Sequence, residues 1–295
     1  MELLVTLHKK DIFDELCKLN ISGVIFGSLF AHGFELSVEE MVQINEKCER
    51  LGLKRFVSIN SLIQEIDLEK LDAYIDLLKE LDVDGIYFSD FAVASKAYEK
   101  EIQNKLIYDP YNLNTSAKDI SFFNNYSIPC VLARELTLGE ITQICRLNPF
   151  MIDIQIFGYL RMSESKRKYI SNYYRNFNIN EIPTNKKDFT IREQSRDYRL
   201  PILEDNNGTC VYTDYVFAMF DELKDISKFI KHAIIDDLFI DFNLINEYVR
   251  YLPTINEENL PIIKDSLKEK YPNITLSSGY LFQKTTDTKV NDDKD

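Results

Sequence analysis

The sequence reads as an α/β chain of the (β/α)8 TIM-barrel-like class, and three observations carry that reading. Apolar strand-like runs alternate with helical patterns from the first residue, eight such pairs can be counted, and one long polar interruption follows the seventh strand. A doubly wound open sheet fits the same alternation, because strand order is not legible in one sequence. The count of eight favours the barrel. The expected organisation is a single barrel domain over 1–285 with an insertion at about 160–220, then a disordered tail over 286–295.

Glu2–Leu7 is a short buried-strand candidate, and Lys9–Leu19 carries helical spacing. Gly23–Gly27 (GVIFG) is the second strand. Ser37–Leu51 reads as a helix whose N-cap Ser37 meets Glu40 three residues on, the pattern of a capping box. Lys54–Asn60 is the third strand, and Asp67–Leu81 is a helix with Asp67 as its expected cap. Gly85–Phe88 is the fourth strand, followed by a helix through Ala92–Glu101. Lys105–Tyr108 is the fifth, with a helix opening near Ser116. Cys130–Ala133 is the sixth, and Thr137 with Glu140 opens the next helix.

Ile152–Phe157 is the seventh strand, which runs through Gly158 into a polar, basic connection. Leu160–Phe220 is too long for a bare loop in a compact domain. Within it, YRLPILEDNNGTCVYT has the form of a β-hairpin with Asn207-Gly208 as its positive-φ turn. Asp221–Lys231 reads as helix, Ala233–Ile240 as the eighth strand, and Phe242–Tyr251 as the last helix.

Charge is unevenly spread. The chain of 295 residues carries −13 overall, yet Arg161–Arg199 holds ten Lys/Arg against five acids, net +5, leaving −18 for the rest. Such a balance excludes a surface that attracts nucleic acid everywhere and points to one basic face on an acidic body. No apolar run approaches the roughly 18–20 residues a membrane span needs. MELLVTLHKK is too soon charged for a secretion signal, so a cytoplasmic location without membrane contact is expected. Cys17, Cys48, Cys130, Cys145 and Cys210 form no CxxC pair, and read as small buried hydrophobes.

Arg134 and Glu135, at the end of strand six, are the leading catalytic candidates. The C-terminal end of a barrel strand faces the pocket, and an arginine there can grip a carboxylate with two parallel hydrogen bonds. The plainer alternative is an internal salt bridge at the barrel mouth. Asn60, Asp90, Asp109 and Asn114 also follow strands, as substrate-binding candidates or as turn and cap residues. Lys166, Arg167 and Lys168, interleaved with Tyr169, Tyr173 and Tyr174, suit phosphate contact with base stacking; a solvated helix face would look the same. His8, His32 and His232 stand beside no GxSxG elbow, and Gly23, Gly27 and Gly33 make no GxGxxG fingerprint. Asp236, Asp237 and Asp241 read as surface acids sooner than as a cation site.

Several segments in order resemble the U32 peptidase-like (collagenase-like) family, and most closely its short Gram-positive branch. They are ELLVT, LARELT, IDIQIFGYLRMSESKRKYISNYY, RDYRLPILEDNNGT, DELKDI and SGYLFQK. The resemblance implies a barrel-like domain, with a longer paralogue as partner and a role in hydroxylating the wobble uridine of tRNA. Peptidase activity, and a non-catalytic scaffold for the paralogue, are the alternatives it leaves open. It also implies prephenate as a candidate co-substrate and tRNA as a partner reached through the complex. Full-length members hold an iron–sulfur cluster through cysteines placed after a strand-seven His-Gly. Here that pair reads Phe157-Gly158 and the first cysteine position reads Arg161, so the cluster is expected in the partner and no metal or cofactor in this chain.

Overall fold

The computed structural model describes residues 1–179, 188–194 and 197–283. β1 (Glu2–Thr6), β2 (Gly23–Phe26), β3 (Lys54–Ile59), β4 (Gly85–Phe88), β5 (Leu106–Tyr108), β6 (Cys130–Val131) and the first half of β7 (Ile152–Ser165) lie side by side, all parallel. β8 (Phe189–Ile191), β9 (Leu200–Asp205) and β10 (Gly208–Ala218) belong to the insertion. β11 (His232–Ile235) then pairs with both β7 and β1 and closes an eight-stranded ring. Leu4, Ile25, Phe56, Tyr87, Ile107, Val131 and Ile234 fill its interior as one cluster. A larger apolar shell lies between the strands and their helices.

The helices are α1 (Phe13–Leu16), α2 (Val38–Leu51), α3 (Leu68–Glu80), α4 (Phe91–Glu99), α5 (Ala117–Asn124), α6 (Leu138–Leu147), α7 (Tyr169–Asn176), α8 (Leu223–Ile226), α9 (Phe242–Tyr251) and α10 (Leu260–Lys270), with β12 (Leu276–Ser277) paired to β10. The capping boxes at Ser37 and Thr137 form as their spacing requires, and Ser116 closes a third with Asp119.

Several expectations are corrected. Asp67 holds the N-cap position of α3 but makes no side-chain cap bond to it; its carboxylate accepts the Gln64 amide and closes the short turn before the helix. The first helical stretch shrinks to a 3-10 turn and one turn of α-helix. The stretch over Asp221–Lys231 yields only the four residues of α8, because Lys231 already donates to Ile152 O as part of the closing ladder. Ile226 and Ile230 reach the core from this irregular path, which is why the spacing looked helical. The eighth strand ends at Ile235, and α10, opened by Pro261, follows the helix read as the last.

The largest correction concerns β7. Instead of loosening into a loop after Gly158, it continues to Ser165, and its outer half pairs antiparallel with β10. Gly158 makes the bend possible: its φ is 123°, and a Cβ there would lie 2.7 Å from Asp236 O. The hairpin forms, but Asn206 and Asn207 are its connection, since Asp205 pairs with Gly208. Gly208 (φ 138°) starts the returning strand where a Cβ would fall 2.1 Å from Ser165 O. The tail over 286–295 lies outside the described residues, and no helix among the described residues is long and apolar enough to cross a membrane.

Candidate functional site at the barrel mouth

The C-terminal ends of β5 and β6 bring Asp109 and Arg134 together. Arg134 donates from Nη1 and Nη2 to the two carboxylate oxygens at 2.5 and 2.9 Å, and from Nε to Gln155 Oε1 at 3.2 Å. Burial works against its charge, but Asp109 outweighs burial and holds the guanidinium above its ordinary range. Tyr111, at φ 63°, lays its ring between two guanidiniums, with Arg134 4.4 Å and Arg161 3.4 Å from the centroid. Asn60 donates to its hydroxyl at 3.0 Å. The space left on the barrel axis is about 40 Å³, lined by Thr6, His8, Tyr87 and Gln155 beside the residues just named. It has room for a few waters and none for a substrate; Tyr111 plugs the mouth.

A second set of charges fastens the insertion onto this plug. Arg161, buried in the outer half of β7, donates to Asn60 O at 3.1 Å and pairs with Glu164 at 3.2 Å. Glu164 Oε1 lies 3.0 Å from His32 Nε2, and His32 Nδ1 lies 3.1 Å from Asp205 in the hairpin. Asp205 also accepts the Gly33 amide at 3.0 Å. Burial would lower the His32 pKa, but hydrogen bonding to Asp205, Cys210 and Glu164 pushes it up to about 11. The ring is therefore a cation between two carboxylates.

Beside the plug, Thr6, His8, Asp236 and Asp237 converge from the ends of β1 and β11. One ligand atom from each of His8, Asp236 and Asp237 lies within 4.8 Å of the others, a donor set a divalent cation could use. Protein partners already engage it. Asp237 accepts the His8 ring Nδ1, the His8 amide at 3.2 Å and the Thr6 hydroxyl at 2.5 Å. Burial and Asp237 raise the Asp236 pKa although His8 opposes them. Asp237 is thus buried, not the surface acid its sequence context implied, and Asp241 caps α9 by accepting the Asn243 amide at 2.7 Å.

The remaining candidates separate. Asp90 is the cap of α4, accepting the Ala92 amide at 2.9 Å. Asn114 is buried and donates to Val131 O at 2.9 Å, and so supports the wall of the mouth. Asn60 sits at the plug, whereas Glu135 is exposed and joins none of the contacts above. Lys166, Lys168 and Lys70 line a cleft of about 860 Å³ together with the acids Glu35, Asp67 and Asp205, Lys166 lying 3.9 Å from Asp67, while Arg167 is exposed outside that lining. Residues that sequence reasoning passed over include Tyr111, Gln155, Glu164 and Asp205. Gln155 had a signal: in IDIQIF the polar Asp153 and Gln155 alternate with Ile, which places a polar face toward the barrel axis. Tyr111 had none.

The cluster scheme implied by the resemblance does not fit these residues. Phe157 is buried and stacked 4.2 Å from the Tyr248 ring, and Arg161 fills the first ligand position with a paired guanidinium. The five cysteines lie after α1 and in α2, β6, α6 and β10, all but Cys17 buried. Burial pushes the thiols of Cys48 and Cys145 up to about 12, away from the thiolate a cluster requires.

The family model for peptidase family U32 matches residues 27–291. Over 148 residues the chain is 30% identical to the tRNA hydroxylation protein P2 of Bacillus subtilis (strain 168), covering 49% of this chain and 48% of that protein. The chain thus spans about half the length of the curated relative it matches. The solved U32 peptidase Mk0906 superposes with a TM-score of 0.51 at 11% identity, over 80% of this chain and 92% of that one, a likeness of fold. Because the family match runs from the end of β2 past β12, through barrel and insertion alike, the chain belongs to peptidase family U32.

Proposed function

We propose that this chain is the small subunit of a system that hydroxylates the wobble uridine of tRNA, in complex with a longer, cysteine-bearing U32 paralogue. The observation that carries the reading is the 30% identical match to the tRNA hydroxylation protein P2. Two features of the site support the division of labour. The barrel axis is plugged by Tyr111, and a buried arginine occupies the position where the resemblance expects a cluster ligand. The iron–sulfur cluster, and prephenate as co-substrate, belong in this reading to the partner's site. In this reading the subunit meets the phosphate backbone through Lys166, Arg167 and Lys168, of which Arg167 and Lys168 are exposed, at the rim of the mixed-charge cleft.

Deleting the gene tests the assignment. Nucleoside analysis of tRNA from the deletion strain is expected to show loss of the hydroxylated wobble uridine. Its full retention in a strain without a second route sinks the reading. Reversing Lys166, Arg167 and Lys168 tests the contact: tRNA binding by the complex is expected to weaken and to depend less on salt, with subunit pairing intact. Unchanged tRNA binding would leave a scaffold that never touches RNA.

A further inference from the structure

The geometry points to α7 as a base-stacking platform, on which unpaired RNA bases lie against Tyr169, Tyr173 and Phe177. The inference rests on the tRNA reading above and names the surface it uses. Tyr169, Tyr173 and Phe177 recur every four residues, so they form one stripe along the helix with steps of about 6 Å. They are 46%, 56% and 66% exposed, increasingly open toward the C-terminal end. The Tyr173 and Phe177 rings pack on each other, 4.7 Å apart and tilted by 43°, and leave their outer faces open. Tyr174, by contrast, turns inward against Phe189 at 6.2 Å and is half-buried.

Single exposed aromatics need no explanation, but a stripe of three does. Charge identifies the occupant. α7 (YISNYYRN) contains no acid, and Arg167, Lys168 and Arg175 are exposed in or beside it, on a chain whose total is −13. Cations interleaved with open rings match a polyanion that carries π-faces, which is single-stranded nucleic acid. The helix is also held firmly enough to present them. Glu204 accepts the Ser171 amide at 3.0 Å and the Ser171 hydroxyl, and the Tyr169 amide donates to Thr209 Oγ1 at 3.1 Å. Both anchors lie in the β9–β10 hairpin, so the platform is ordered before any ligand arrives.

The test uses the complex with the longer paralogue, probed with unmodified tRNA transcript and with oligouridylate. In Tyr173→Leu/Phe177→Leu the apolar bulk stays and the π-faces go. Affinity for both probes is expected to fall roughly tenfold or more, the low end for a stacked base, with an unchanged salt slope. Tyr173→Phe should bind as the wild type does. Lys168→Glu/Arg175→Glu should instead reduce the salt slope. Because the altered rings are exposed, thermal melts are expected to match the wild type. Normal RNA binding by the leucine pair overturns the platform. So does loss of paralogue pairing, which would make the stripe a subunit interface. Ring-dependent oligouridylate binding combined with an unaltered wobble uridine in the deletion strain would keep the platform and remove the pathway assignment.

Discussion

Arg134 combines two contacts that depend on each other, a bidentate pair with Asp109 and a stack on Tyr111. Arg134→Ala would leave a buried carboxylate without its partner and is expected to cost about 3–5 kcal/mol in denaturant melts. The double variant Arg134→Met/Asp109→Leu should lose less than that, because it leaves no unpaired charge; a larger loss would mean that the pair does more than offset its own burial. Arg134 and Asp109 were both legible in the sequence, as residues that follow strands. Their partnership was not, because contact between two strand ends exists only once the ring has formed. His32 supplies a pH signature. Its folded pKa of about 11 exceeds its unfolded value of about 6.5, so its contribution is complete below about pH 6.5 and fades toward about 11. Hydrogen bonding to His32 outweighs burial and holds Glu164 and Asp205 below the ordinary carboxylate range, so theirs is complete above roughly pH 5 and is lost as pH falls. Attachment of the insertion should therefore be firmest between about pH 5 and 6.5. Amide exchange of β9 and β10 against pH checks this, and His32→Gln should flatten the alkaline limb.

The helices show what local sequence can specify. Ser37 with Glu40 and Thr137 with Glu140 announce α2 and α6 within a residue of their observed starts, since a cap and its reciprocal acid interact over three residues. The outer half of β7 could not be read in that way. Arg161, Met162, Ser163, Glu164 and Ser165 have no apolar pattern of their own and become strand because β10 supplies their partners. Gly208 is the hinge of that pairing. Gly208→Ala would set a Cβ into Ser165 O on a backbone at φ 138°, and the expected loss is about 2–3 kcal/mol. Faster exchange confined to β9, β10 and the outer half of β7 is the predicted signature. Uniform destabilisation of the barrel would contradict it.

At the scale of the whole molecule, the barrel was legible because its strands and helices alternate in sequence order, whereas the plugged mouth depends on loops that meet only in three dimensions. Two chemical expectations belong here. Protein purified anaerobically should carry no stoichiometric iron or acid-labile sulfide, since its thiols are spread over separate elements. Iron and sulfide in cluster ratio would refute that. The pure chain should not cleave gelatin or casein, because the space of about 40 Å³ beside Thr6, His8 and Asp236 does not admit a peptide. Cleavage abolished by a single substitution in that group would prove otherwise. Finally, β7 is one uninterrupted strand within a single continuous sheet, parallel to its neighbours in the ring and antiparallel to β10 in the hairpin. No seam exists at which the hairpin could be excised and grafted onto another barrel. Trimming it to a short linker would strip β7 of its outer partner and expose a ragged edge of amides and carbonyls, open to aggregation. An engineer wishing to transplant this module would have to carry the seventh strand with it, and so re-close the recipient's ring.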